Sequence, residues 1–277
     1  MLSFALDYDN LPLIAKVEVL EYALQNTDGN DLSRVLWLKS RTSEVWLDRR
    51  TNYTRSLAVM SMVGYLLGLG DRRPSNLMLH RYSGKILHID FGDCFEASMN
   101  LEKFPEKVPF RLTIMLVKAM EVSGIDGNFR STCENVMQVL RLHKDSVMAM
   151  MEAFVHDPLI NWQLFNFNEV PQMSTLASAH VPPVVNSEES SSNRELLQPQ
   201  RGARERELLQ AINQLGDANE VLNERTVAVM ARMSNKLTGR DFAATSASSS
   251  SIQHARITQA MSHENLRQNY VGWCPFW

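Results

Sequence analysis

The sequence predicts a mainly α-helical protein carrying one small β-hairpin. Three observations predict it. Apolar residues recur at helical spacing in most segments. One pair of short runs flanks a turn-forming triplet, Tyr82-Ser83-Gly84, as a hairpin requires. The stretches between are punctuated by Gly and Pro rather than by further alternating runs.

Leu13, Val17, Leu20 and Leu24 mark a first helix, and residues 31–38 a second. Ser43 is the expected cap of a long third helix, with Tyr53, Leu57, Met60 and Leu67 on one face. Gly68 and Gly70 end it. Strands over 77–80 and 85–90 make the hairpin, and 91–109 is irregular. Helical spacing returns in Leu112, Met115, Leu116 and Ala119, then in Phe129, Cys133, Val136, Met137 and Leu140. Val147, Met150, Met151 and Phe154 continue it. Asp157-Pro158 breaks the chain before a short helix at 159–164. Residues 169–202, rich in Pro, Ser and Glu, read as a disordered linker. A long helix follows within 203–240, with Leu208, Ile212, Leu215, Leu222, Met230, Met233 and Leu237 in register and Gly239 as its stop. A second, Ser-rich linker is expected at 241–254, then a final helix over 256–266 and an aromatic end, Tyr270 to Trp277.

Composition sets outer limits. The 277 residues suffice for one sizeable core, and 44% apolar with 21% charged residues is the balance of an ordinary soluble protein. A net charge of -3 provides no basic field for nucleic acid. Three scattered cysteines, Cys94, Cys133 and Cys274, fit a reducing, intracellular setting. The N-terminus lacks the basic start of a signal peptide, and the apolar stretch 57–70 is too short to span a bilayer.

The chemistry concentrates in Gly68-Leu69-Gly70-Asp71-Arg72-Arg73-Pro74-Ser75-Asn76 and Asp90-Phe91-Gly92. An Asp, an Asn five positions on, a hairpin and then Asp-Phe-Gly is the order that phosphoryl transfer uses in protein kinases. The reaction needs an acceptor for the incoming hydroxyl proton, which Asp71 supplies. It also needs hard oxygen ligands for Mg²⁺ or Mn²⁺ on the ATP phosphates, which Asn76 and Asp90 supply. Alone, each motif is an ordinary turn or tripeptide; together and in order they are specific.

The run Gly-Leu-Gly-Asp-Arg-x-Pro-Ser-Asn-Leu-Met-Leu and the run His-Ile-Asp-Phe-Gly-Asp-Cys-Phe resemble the phosphatidylinositol 3-kinase-related protein kinases. Phe104-Pro105-Glu106-Lys107-Val108-Pro109-Phe110-Arg111-Leu112-Thr113, and a tail from Ser262 to Trp277 similar to a FATC domain, narrow the resemblance to the target-of-rapamycin group. Met78-Leu79-His80-Arg81-Tyr82-Ser83-Gly84 is most similar to plant members. The resemblance implies a PI3/PI4-kinase-type C-lobe over 30–168, with catalytic loop 68–76 and activation segment 90–111. It implies a helical insertion at 1–29 that seats a β-propeller (WD-repeat) subunit, a C-terminal kinase helix at 203–240 and a FATC tail at 255–277 that folds back on the activation segment. Trp273, Phe276 and Trp277 are also interfacial residues, so weak membrane contact through the tip is an alternative expectation.

The chain departs from that pattern. The seventy residues before Asp71 read as helices, without a glycine-rich loop, phosphate-pairing Lys or adenine-lining hinge, so the N-lobe is expected to be absent. Arg73 stands where the family places a His beside the transferred phosphate; it keeps the charge but cannot titrate near neutrality, and a salt bridge to Asp71 or Asp90 would mis-set the base. Leu101 and Ile114 replace expected Arg, and Arg267 replaces the first of two tail cysteines, leaving Cys274 without a partner there.

The functional expectation is the C-terminal portion of a serine/threonine protein kinase acting on protein substrates in nutrient and growth signalling, weakly active or inactive by itself. The alternative is a non-catalytic fragment that binds the propeller subunit. A phosphoinositide kinase ranks lower, because 91–109 holds only Lys103 and Lys107 against Asp93, Glu96, Glu102 and Glu106. Apolar surface that an N-lobe normally covers is expected to lie open.

Overall fold

A computed structural model of the chain describes residues 11–101, 104–155, 226–241 and 249–277. Its organising element is α3 (Ser43–Leu67). Thr42, one residue earlier than the expected Ser43, caps it: the Thr42 hydroxyl accepts from the Val45 amide at 3.2 Å. Ser43 is already helical, and Thr42 holds the extended backbone a cap needs. At the other end Gly68 takes a left-handed φ of 60° and closes the helix.

Two shorter helices precede it, α1 (Leu13–Asn26) and α2 (Asp31–Leu38). Tyr53, Leu57, Ala58 and Met62 of α3 are fully buried. They pack with Phe110, Leu112 and Leu116, the last on α4 (Ile114–Lys118), and with Phe129, Cys133 and Met137 at and along α5 (Arg130–Leu142). The Tyr53 hydroxyl donates to the Leu116 carbonyl at 2.9 Å, so this core carries its polar atom satisfied.

The hairpin forms between β1 (Leu77–Leu79) and β2 (Ile86–His88), antiparallel, with Met78 opposite Leu87. Its turn is fastened by one polar stripe of α3 at helical spacing. Arg49 Nε donates to Tyr82 O at 2.9 Å, Asn52 to Ser83 O at 3.1 Å, and Ser56 accepts from the Ile86 amide at 2.8 Å. The side chains on the hairpin's outer face lie open: Met78 is 52% exposed and Leu87 56%. Ile89 and Phe91 continue this exposed apolar surface towards Asp90.

A second core joins Leu66, Leu69, Cys94 and Phe95 to α6 (Lys144–Val155) and to α7, the helical residues 226–238, through Val229, Met233 and Leu237. The expected helix at 159–164, the linker at 169–202 and the first part of the 203–240 helix lie outside the described residues.

The tail differs from the sequence expectation. Helix α8 (Ser249–Ala260) begins inside the stretch read as Ser-rich linker. Serine composition misled there, because Ile252, Gln253, Arg256, Ile257 and Ala260 recur at helical spacing and are all buried. The single final helix expected over 256–266 is two, since Met261 and Ser262 separate α8 from α9 (His263–Leu266). Beyond α9, Trp273 is 1% exposed and packs with Leu20, Val108 and Leu266. Its burial leaves Trp277 as the exposed member of the aromatic tip. Among the described residues no helix is long and apolar enough to cross a membrane.

Candidate functional site

The site sits where the C-terminal end of α3 meets the hairpin. Residues 67–70 run beside 93–96. Gly70 N donates to Asp93 O at 2.8 Å, Phe95 N to Leu67 O at 2.7 Å and Glu96 N to Gly68 O at 2.8 Å. Glycine is required for this approach. A Cβ on Gly70 would lie 2.3 Å from Ser98, and one on Gly68 would lie 2.7 Å from the Glu96 amide.

Asp71 and Asn76 are brought together. A tight turn over Pro74–Asn76 reverses the chain, and Asn76 Nδ2 donates to Asp71 O at 2.8 Å and to Asp71 Oδ2 at 3.1 Å. Asn76 is buried and its carbonyl accepts the Ile89 amide at 3.0 Å, so the loop is fastened to the strand that leads into Asp90. Asp90 itself is exposed, with a left-handed φ of 61°, and its Oδ1 accepts from Gly92 N at 3.2 Å. Asp71 is also left-handed, at φ 50°. Such backbone in non-glycine residues is sparse and clusters at functional sites.

Arg73 meets the expectation of a salt bridge: its Nε lies 3.4 Å from Asp71 Oδ2. The pair is partly exposed, at 45% and 25%, so it adds little to stability. Its effect is local, because it places a fixed cation on the same oxygen that Asn76 holds.

Sequence reasoning missed three residues that build this site. Arg72, 2% exposed, donates from Nε to Gly70 O at 2.6 Å and from Nη1 to Ile89 O at 2.8 Å, and Nη2 reaches Asp90 O. It thus ties the catalytic loop to the Asp-Phe-Gly segment. Burial lowers its pKa, against the pull of Glu106, Asp71 and Asp90. Glu106 is buried and accepts from the amides of Asp71 and Arg72. Arg111 donates to Arg72 O at 3.3 Å, Cys274 O at 2.9 Å, Trp277 O at 3.3 Å and Trp273 O, with its guanidinium 4.3 Å from the centre of the Trp273 ring. Burial lowers Arg111 to about 10. Only Arg111 left a signal in the sequence: it stands between apolar Phe110 and Leu112, where a surface cation is out of place. His88, in β2, is buried and held neutral, lowered to about 4 by burial and by Arg72.

The donor set suits a hard divalent cation with few protein ligands. With Asn76 Nδ2 engaged, its Oδ1 is the remaining acceptor, and Asp90 keeps Oδ2 beside the oxygen that Gly92 uses. Among the described residues no cluster of three or more His, Cys, Asp or Glu could hold a metal ion.

Comparison with known proteins agrees with this architecture. Residues 1–164 match the family described as Phosphatidylinositol 3- and 4-kinase, and residues 257–277 match the FATC domain. The chain is 75% identical to Serine/threonine-protein kinase TOR of Oryza sativa subsp. japonica and 72% identical to that of Arabidopsis thaliana, in each case over 100% of this chain and 12% of the relative. Against tor1 of Schizosaccharomyces pombe (strain 972 / ATCC 24843) the identity is 56%, over 100% of this chain and 12% of the relative. Among solved structures, the FAT and kinase domain of CtTel1 aligns with a TM-score of 0.70 at 24% identity, covering 99% of this chain and 15% of that one, a likeness of fold. The chain spans about an eighth of the length of the curated relatives it matches. With its kinase-family match over more than half its length and TOR kinases similar to it from end to end, the chain belongs to the phosphatidylinositol 3- and 4-kinase family.

Proposed function

We propose that this chain carries the phosphoryl-transfer machinery of a serine/threonine protein kinase of the TOR type, acting on protein hydroxyls. The observation that carries the reading is the hydrogen bond from Asn76 to the Asp71 carboxylate, on a loop that Arg72 fastens to Asp90. Bound ATP with Mg²⁺ would supply the transferable phosphoryl group and neutralise its charge. Asp71 Oδ2 is occupied by Asn76 and Arg73, so Oδ1 is the oxygen that takes the proton of the incoming Ser or Thr hydroxyl. Asn76 Oδ1 and the Asp90 carboxylate would hold the cation. Arg73 has two effects: it neutralises phosphate charge, and it holds Asp71 Oδ2 in an ion pair that a histidine would not make in the same way. The setting of this chemistry is intracellular.

The test is phosphate transfer from Mg-ATP to a Ser/Thr peptide by the purified chain, its Asp90→Ala variant and its Arg73→His variant. Weak turnover that Asp90→Ala abolishes and Arg73→His raises is expected. Equal background in all three overturns the reading, and phosphorylation of phosphoinositides instead of the peptide replaces it with a lipid kinase.

A second reading is supported by α1, where Ile14 is 75% and Tyr22 67% exposed and Val19 lies one turn before Tyr22. An open apolar helix fits docking of the β-propeller subunit, with the chain acting as a non-catalytic binder. Capture of the propeller that survives deletion of residues 1–29 would contradict that interface.

A further inference from the structure

Glu106 lies outside the Asp71, Asn76 and Asp90 constellation, fifteen residues or more along the chain from any of them, yet its carboxylate is part of the catalytic loop's hydrogen bonding. Oε2 accepts from the Asp71 amide at 2.6 Å and Oε1 from the Arg72 amide at 3.3 Å. The side chain is withdrawn from solvent, at 6% exposure. Its own amide donates to Ser98 O at 2.9 Å, so the carboxylate is delivered from a fixed backbone. Two successive amides converging on one carboxylate do not occur in extended chain, where neighbouring N–H groups point to opposite sides; they need turn-like backbone. They converge here because Asp71 is left-handed. That conformation is unfavourable for a residue with a Cβ and persists where surrounding contacts over-determine it.

We infer that Glu106 is a positioning residue for Asp71: its buried carboxylate holds the two amides and so fixes the left-handed turn that aims the Asp71 side chain at Asn76. The catalytic meaning of this inference rests on the reading of Asp71 as the base; the structural part does not. A strut that merely joined the activation segment to the body would affect the whole fold alike. A positioning carboxylate acts on two particular amides and on what the Asp71–Asn76 pair then binds. The negative charge matters to the geometry. A carboxylate offers an acceptor on each oxygen, whereas an amide in its place would set an NH₂ against one of the two backbone donors. Burial raises the Glu106 pKa overall, and the Arg72 amide, the Trp273 side chain, the Asp71 amide and the Arg72 charge pull against it. Arg111 also feels its charge, and Tyr270 from the tail stands within the same field.

The experiment compares the full chain with Glu106→Gln, which keeps the shape, and Glu106→Ala. Amide hydrogen exchange at Asp71 and Arg72 is read by NMR alongside the Ile86 amide, which Ser56 holds independently. Mn²⁺ binding is followed by paramagnetic relaxation. In Glu106→Gln, exchange at one or both loop amides should rise about tenfold or more while Ile86 keeps its protection, and Mn²⁺ affinity should fall several-fold. Unchanged exchange at both amides, or an equal rise at Ile86, overturns the inference. If Glu106→Ala does not fold, the Gln variant decides. If the wild-type chain takes up no Mn²⁺, the metal-site reading of Asn76 and Asp90 falls, and the exchange arm still judges Glu106.

Discussion

Asn76 donates from one amide nitrogen to two oxygens of Asp71, the backbone carbonyl at 2.8 Å and the carboxylate at 3.1 Å. This clamp fixes the Asp71 side chain relative to its own backbone, and it turns Asn76 Oδ1 away from Asp71 as a free acceptor. The two roles separate by substitution. Asn76→Leu removes both, so divalent cation affinity should drop by about tenfold or more, the equivalent of one charge-assisted contact. Asn76→Asp keeps an oxygen donor but sets two carboxylates together, which should retain cation binding while lowering turnover. Mn²⁺ titration with a nucleotide present, read beside peptide phosphorylation, distinguishes them. Equal cation affinity in wild type and Asn76→Leu would remove Asn76 from the ligand set.

Gly70 and Ser98 form a matched pair across the loop and the activation segment. A methyl group on Gly70 would lie 2.3 Å from both Cβ and Oγ of Ser98, and Ser98 is buried. Overpacking of this kind costs about 1–3 kcal/mol. Gly70→Ala should therefore lower the urea midpoint, and adding Ser98→Gly should recover most of the loss even though Ser98→Gly alone removes the hydrogen bond to Asp93. Additive destabilisation in the double variant would show that Gly70 is needed for its backbone and not for the space.

The hairpin was legible because its signals are local. Turn chemistry at Tyr82-Ser83-Gly84 and two short strands lie within a dozen residues, and the structure pairs Leu77 with His88 and Leu79 with Ile86. Helices α1 and α3 were legible for the same reason, α1 through periodicity and α3 through periodicity and its glycine stop. The order of Asp71, Asn76 and Asp90 was legible because phosphoryl transfer fixes residue types along the chain. What joins them was not. Arg72, Glu106 and Arg111 act through contacts tens of residues apart, and Arg111 reaches carbonyls more than 160 residues away. A buried charge announces itself only through partners, and partners across a fold leave no spacing to read. Helix α8 was hidden differently: serines give a linker's composition, while the buried stripe of Ile252, Arg256 and Ile257 decides the structure.

Glu96 links the activation segment to α7. Its oxygens lie 2.7 Å from Lys236 Nζ and 2.8 Å from Arg232 Nη1. Burial alone would raise the Glu96 carboxyl, but the two cations outweigh it and hold it below its ordinary value. Lys236 moves by the opposite balance, since burial outweighs Glu96 and lowers it. The group that titrates in acid is Glu96, so its direction sets the pH response. A depressed carboxyl contributes stability above its unfolded pKa, and that contribution is lost as pH falls through the lower, folded value. Stability should decline in acid below about pH 4.5, and Glu96→Gln should shrink that part of the decline while costing roughly 3 kcal/mol at neutral pH. Urea unfolding at pH 7 and in steps below pH 4.5 reads both effects. A Gln variant with the full wild-type acid response would take Glu96 out of it.

Arg111 joins the C-terminal tail to the catalytic loop. One guanidinium, 2% exposed, serves the carbonyls of Arg72, Trp273, Cys274 and Trp277 and lies against the Trp273 ring. No other cation has the planar fork for this, so Arg111→Lys should destabilise nearly as much as Arg111→Met. Removing a charged donor from several buried carbonyls costs about 1–3 kcal/mol for each one left unpaired, and some will find water, so a net loss of roughly 3 kcal/mol is expected. The tail supplies three of the four acceptors. Deleting residues 270–277 should therefore lower stability by a comparable amount, and the two changes together should cost much less than their sum. Chemical unfolding of the four proteins closes the cycle. Full additivity would mean that Arg111 and the tail stabilise the fold independently, and that the tail's hold on the catalytic loop does not pass through this side chain.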